Sequence, residues 1–300
     1  LYVYRHMLGT PQSADHLVYE EKDSGFFVGL SATQSQKFVL IDIHDHDTSE
    51  IHLIDADVPA SPPRLIAPRR KGHQYAVEHN ACSLIITTNS NGAEDFRIVE
   101  APVEEPREDN WKEIVPHKPG RLILEVAVFK DYMARLERED SLPRIVISKL
   151  NSTDEHSIAF DEEAYALGLS SGYEFDTTRI RFTYSSMTTP TEVWDYDMRT
   201  RERGLRKRQE VPSGHNPADY VTRRIFAKAK DGAIVPISLM HHVSTQIDGT
   251  APCLLSGSGS SGISIPASYS TSRLSLVDRG FVYALAHHLG GTAHGWRWSL

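Results

Sequence analysis

Short apolar runs separated by turn residues fill the chain from about residue 15 to 211, with little helical periodicity. Four stretches share one plan. The first holds 25–30 (GFFVGL), 38–43 (FVLIDI) and 50–55 (EIHLID), and the second 73–77 (HQYAV), 83–89 (SLIITTN) and 96–100 (FRIVE). The third holds 122–129 (LILEVAVF), 132–137 (YMARLE) and 144–150 (RIVISKL), and the fourth 179–186 (RIRFTYSS) and 191–197 (TEVWDYD). The last strands of these stretches end near Asp55, Glu100, Leu150 and Asp197, a recurrence of roughly 45 to 50 residues, which is the period of propeller blades. Asn91-Gly92, Pro62-Pro63 and Thr189-Pro190 supply turns. A β-sandwich is the rival, but it carries no such repeat.

Beyond residue 211 the pattern changes. The segment 211–217 (VPSGHNP) is polar and turn-rich and reads as a linker. The runs 220–229 and 234–240 flank Asp231-Gly232, a strong hairpin signal. Two further apolar strands, 252–255 (PCLL) and 280–287 (GFVYALAH), run into the glycine turns 256–262 (SGSGSSG) and Gly290-Gly291. Apolar runs bounded by glycine turns predict central strands of a parallel sheet.

The 300 residues suffice for one large or two ordinary domains. A net charge of −8 argues against a nucleic-acid binder, which carries a basic patch. Cys82 and Cys253 each sit in an apolar run without C-x-x-C spacing, so buried reduced thiols are expected in place of a zinc or redox site. No run of 18 apolar residues predicts a membrane span. The chain starts at Leu1 without a signal-peptide pattern, so it reads as an internal piece of a longer, cytoplasmic protein.

Several clusters invite chemistry. His44-Asp45-His46-Asp47 reads as an exposed inter-strand turn before it reads as a metal site. His287-His288 with His294 reads as a strand end plus a loop, again ahead of a metal cluster. Residues 199–208 (RTRERGLRKR) read as a solvated hairpin turn, because no aromatic interleaving makes them a nucleic-acid patch. Glu137-Arg138-Glu139-Asp140 reads as a charged turn. No cofactor or metal site is expected.

The pieces 48–50 (TSE), 72–75 (GHQY) with Glu78-His79, 184–190 (YSSMTTP), 231–239 (DGAIVPISL) and 273–284 (RLSLVDRGFVYA) form a collinear set. Together they resemble the prolyl oligopeptidase family of serine peptidases, and within it the oligopeptidase B branch. The resemblance implies a seven-bladed β-propeller capping an α/β-hydrolase domain that cleaves short peptides after Lys or Arg. The fold expectation is therefore mostly β, with later propeller blades over 1–212 and the first strands of an α/β-hydrolase peptidase domain over 213–300. The family's nucleophile serine, Asp and His are not in this sequence. The turn 256–262 is no nucleophile elbow, since no serine in it has glycine two places on each side.

There are departures. The family's turn reads like LLYGYGSYG, whereas this chain reads LLSGSGSSG over 254–262. Ser258 thereby occupies the position of the family's oxyanion-hole tyrosine. A serine hydroxyl cannot reach the same point, and loss of one such donor costs about 10²–10³ in turnover. Leu289 stands where the family's Arg-Gly-Gly has its cation. Two readings follow. The chain supplies the propeller lid and first hydrolase strands of a serine oligopeptidase acting on short basic peptides, and is inactive alone. Alternatively it is a decayed or truncated, non-catalytic β-propeller binding module. In either case open strand edges predict a chain that needs the remainder of the peptidase domain for stability.

Overall fold

A computed structural model describes residues 1–257, 263–288, 291–292 and 294–299, the side chains of 298 and 299 excepted. It contains two compact units: Leu1–His117 with Ala127–Lys130 and Tyr173–Asp176, and the remainder, Lys118–Val126, Asp131–Gly172 and Thr177–Leu300.

In the first unit, β1 (Tyr2–Arg5) and β2 (His16–Glu20) form a two-stranded piece. Next comes an antiparallel meander of β3 (Phe27–Ala32), β4 (Phe38–His44), β5 (Ser49–Asp55) and β6 (Arg64–Leu65). A second meander contains β7 (Tyr75–Asn80), β8 (Ser83–Thr88), β9 (Arg97–Pro102) and β10 (Lys112–Val115). Strand β4 shows why its sequence, FVLIDIH, is apolar on both pleats. Phe38 and Leu40 face a core shared with Tyr75, Val77, Leu84 and Ile86 of the next sheet. Ile41 and Ile43, on the opposite pleat, pack with Val3, Val18 and Tyr19. A sheet covered on both faces reads as a continuous apolar run, as stacked blades require.

The second unit opens with β11 (Arg121–Val128), β12 (Tyr132–Glu139), β13 (Leu142–Lys149) and β14 (Glu155–Ser157), in that order across the sheet. A fourth meander follows: β15 (Ala166–Ser170), β16 (Arg179–Ser185), β17 (Glu192–Asp197) and β18 (Arg203–Arg208). The last sheet is mixed. Its elements are β19 (Tyr220–Lys228), β20 (Ile234–His242), β21 (Cys253–Gly257), α1 (Thr271–Val277) and β22 (Val282–Ala286). Its strand order is β19-β20-β22-β21, with β21 and β22 parallel. A parallel pair needs a crossover, and α1 lies within it. Leu274 and Val277 of α1 pack on Met240, Tyr283 and Leu285 of the sheet, together with Met187 and Ala164. Gly280, at φ 91°, ends the crossover in the left-handed conformation.

Several expectations need correction. Cys82 and Cys253 are both exposed. Cys82 follows Ala81, whose φ of 51° makes it the tip of the β7–β8 hairpin, and Cys253 begins an edge strand. Among the described residues β21 has a strand partner on one side only, and Leu254 and Leu255 are exposed. The apolar run reported a strand correctly, but burial depends on what lies beside it. Residues 137–140 are not a turn. Glu137, Arg138 and Glu139 complete β12, and the reversal falls on Asp140 and Ser141, at φ 50° and 65°. Two successive residues with positive φ are the signature of a tight β-hairpin turn. The basic stretch 199–208 is only in part a turn. Its second half is β18, whose Arg206 and Arg208 bond Asp195 and Glu192 of β17. His44 ends β4 and 45–47 form the inter-strand turn, in which the Asp45 carboxylate accepts the backbone N–H groups of Asp47 and Thr48. Among the described residues, no helix is long and apolar enough to cross a membrane.

Candidate functional site

The family motifs of the meanders are structural. Thr48 Oγ1 accepts the Gly72 N–H at 3.2 Å, and the His73 carbonyl accepts the Ser49 N–H at 2.9 Å. The Tyr75 hydroxyl donates to the Ala67 carbonyl at 2.7 Å and accepts the Ile51 N–H at 2.7 Å. In 184–190 the Tyr184, Ser186, Thr188 and Thr189 hydroxyls all donate to the Glu162 carboxylate, at 2.6 to 2.8 Å. Burial and that carboxylate push the Tyr184 phenol well above its ordinary range. His215 is tied to the same segment, its Nε2 2.6 Å from the Thr188 carbonyl, so 211–217 is anchored at one residue.

The carboxyl ends of β21 and β22 point the same way, and such ends are where ligand sites form in open α/β sheets. Close backbone approach defines this end. A Cβ on Gly257 would meet the His288 ring at 3.0 Å, and one on Gly291 would meet the Ile263 carbonyl oxygen at 2.8 Å. Ser264 Oγ accepts the Thr292 N–H at 3.0 Å, joining the segments that follow the two strands. Arg138 Nε donates to the Thr292 carbonyl at 3.4 Å, and its Nη2 to the Thr292 hydroxyl. Ser258 and Leu289, the two positions singled out in the sequence, lie outside the described residues.

The histidines here divide as strand end and loop. His287 is buried, with Nε2 2.9 Å from Ser238 Oγ. Burial, then the positive charges of Arg224 and Arg138, pull its pKa down to about 4. His294 Nδ1 lies 2.6 Å from the Asp140 carboxylate. Ser238 and His287 are a serine–histidine pair by distance alone. Both are buried, and no described carboxylate bonds the other ring nitrogen, so the pair lacks the orienting third group of a triad. Ser35 and His79, 2.7 Å apart, are likewise structural, since His79 Nε2 bonds the Ala81 carbonyl at 2.7 Å.

Residues 2–209 match the family described as prolyl oligopeptidase, N-terminal beta-propeller domain. The chain belongs to the prolyl oligopeptidase family. The four meanders are thus blades of its β-propeller, and the fold is mostly β. Among curated relatives, dipeptidyl aminopeptidase BI of Pseudoxanthomonas mexicana is 36% identical over 99% of this chain and 41% of its own length. Protease 2 of Moraxella lacunata is 30% identical, over 99% and 42%. Oligopeptidase B from Trypanosoma brucei, solved in a closed form with covalently bound antipain, superposes with a TM-score of 0.89 at 33% identity, over 99% of this chain and 43% of that one. The chain spans about two-fifths of the length of these relatives.

From the sequence Arg138 reads only as part of a charged turn, and Ser264 and Thr292 carry no motif. The Gly290-Gly291 turn was the available signal, because a glycine pair marks close backbone approach.

Proposed function

We propose that this chain forms the lid and the opening strands of a serine oligopeptidase that cleaves short peptides after Lys or Arg. In this reading 1–212 is the propeller that restricts access, and 213–300 begins the α/β-hydrolase peptidase domain. The observation that carries it is the parallel pair β21–β22 with its crossover helix, which follows directly on four propeller blades. The relatives are named as peptidases, which supports peptide substrates. Acyl transfer would use a Ser-His-Asp triad that this sequence does not contain, in the cytoplasm, on short basic peptides.

The isolated chain is expected to show no turnover of a fluorogenic peptide ending in Arg or Lys. Robust turnover abolished by a serine-directed inhibitor would overturn that expectation. Reading the gene past Leu300 tests the larger claim. A downstream G-x-S-x-G with later Asp and His supports the peptidase, whose cleavage after Lys or Arg can then be compared with release of N-terminal dipeptides. The serines at 256, 258 and 261 favour a second reading, a non-catalytic β-propeller binding module. An immediate stop codon would favour it.

A further inference from the structure

Within the second unit, β11, the β12–β13 hairpin, the start of β15 and the segments that follow β21 and β22 line a cavity of about 70 Å³. Leu124, Leu136 and Ile265 form an apolar wall, and Arg138, Ser141 and His287 line the cavity as well. Arg138 is the unusual member. Its hydrogen bonds go to Thr292, from Nε and Nη2, and its Nη1 donates to no described residue. Burial alone holds its guanidinium below the ordinary arginine range, with no carboxylate acting in the other direction.

The neighbouring acids are engaged elsewhere. Glu137 bonds Arg135 and Arg144, Glu139 pairs with Lys118 and Arg144, and Asp140 pairs with His294. A half-buried cation without an anion is costly, and native structures normally pair one. Ser141 Oγ, also lining the cavity, is buried without any hydrogen-bond partner. An orphaned hydroxyl and an uncompensated guanidinium lining one cavity are donors awaiting an acceptor. His287, held neutral by burial, adds no competing charge.

The size limits the ligand. About 70 Å³ admits a small polar group and no bulky side chain. The apolar wall favours a short aliphatic neighbour over a fully hydrated inorganic anion. We propose that this cavity binds a single carboxylate group, held by Arg138 Nη1 and the Ser141 hydroxyl, with its aliphatic carbon against Leu124, Leu136 and Ile265. Two sources share that chemistry: a free short-chain carboxylate, and the C-terminal carboxylate of a short peptide. The inference does not rest on the peptidase reading.

The test is a thermal and calorimetric titration of the purified chain at constant ionic strength. The probes are sodium propionate, N-acetyl-Ala-Ala with a free carboxylate, the same dipeptide as its amide, and sodium chloride. A saturable rise in Tm with propionate or with the acid dipeptide, absent with the amide and with chloride, supports the site. A response to propionate alone assigns it to free carboxylates, and a response to the acid dipeptide assigns it to peptide ends. In Arg138→Met the affinity should fall at least about tenfold, the worth of a charge-assisted hydrogen bond. Ser141→Ala removes only an unpartnered hydroxyl, and it should weaken binding while leaving the unliganded melt unchanged. The proposal is overturned if no probe acts beyond chloride, or if Arg138→Met responds as wild type does. Should Arg138→Met not fold, unchanged propionate binding by Ser141→Ala overturns it instead.

Discussion

A methyl group on Gly291 would sit 2.8 Å from the Ile263 carbonyl oxygen, a rigid backbone atom. Gly291→Ala should therefore destabilise the chain by about 1–3 kcal/mol in urea melts, the cost of overpacking a closed site. Gly204→Ala is the control, because nothing lies within 4 Å of its added Cβ, and it should change stability by less than about 0.5 kcal/mol. The two cysteines make a second test at this scale. Both thiols are exposed, so both should react with Ellman's reagent in the native state, and slow or partial labelling would count against the structure. The sequence marked Gly291 as a turn residue and Cys82 as part of an apolar run. It could not show that Ile263 approaches the first, or that the second falls on a hairpin tip, because both facts depend on the backbone path.

At the scale of elements, β12 carries a buried carboxylate. Glu137 is 2% exposed, with Arg135 and Arg144 bonded to it at 3.1 and 2.9 Å and Arg121 at 3.6 Å. Arg135 is buried too, and it also bonds Glu155 of β14. Glu137→Gln leaves these guanidinium groups short of a counter-charge and should cost about 3–5 kcal/mol, measured by denaturant melts. Strand β21 has the opposite character. It is a sheet edge with Leu255 at 65% exposure, an open template for pairing with another chain. Leu255→Lys should reduce concentration-dependent association in sedimentation velocity, and unchanged association would show that this edge is not responsible. Central strands were legible because burial on both faces demands apolar residues throughout. The outer strands β6, β10, β14 and β18 were missed, being short, exposed or polar, and held chiefly by backbone bonds to their neighbours. Helix α1 was missed as well: seven residues give too few turns for a periodic signal.

For the whole molecule, Glu21 and His287 carry the largest shifts that bear on the response to acid. Hydrogen bonds from Arg69, foremost, hold Glu21 at about 2 against an ordinary 4.5. Its contribution is complete above the ordinary value and is lost as pH falls towards 2. Burial holds His287 at about 4 against an ordinary 6.5, so the unfolded chain takes up that proton first. Its contribution is complete above pH 6.5 and is lost as pH falls towards 4. Each shift is linked to at most about 3 kcal/mol. The urea midpoint should thus decline as pH falls, with His287→Gln flattening the upper part of the decline and Glu21→Gln the lower. A profile unchanged by either substitution would refute the assignment. The sequence by itself determined the repeat, the strand interiors, the hairpins and the family, because these rest on local periodicity and on a collinear set of motifs. Only the tertiary structure decided which apolar strand is an edge, which carboxylates are buried, and that Arg138 lies in a cavity without a counter-charge. Those properties belong to residues far apart in sequence, and no local pattern encodes the distance between them.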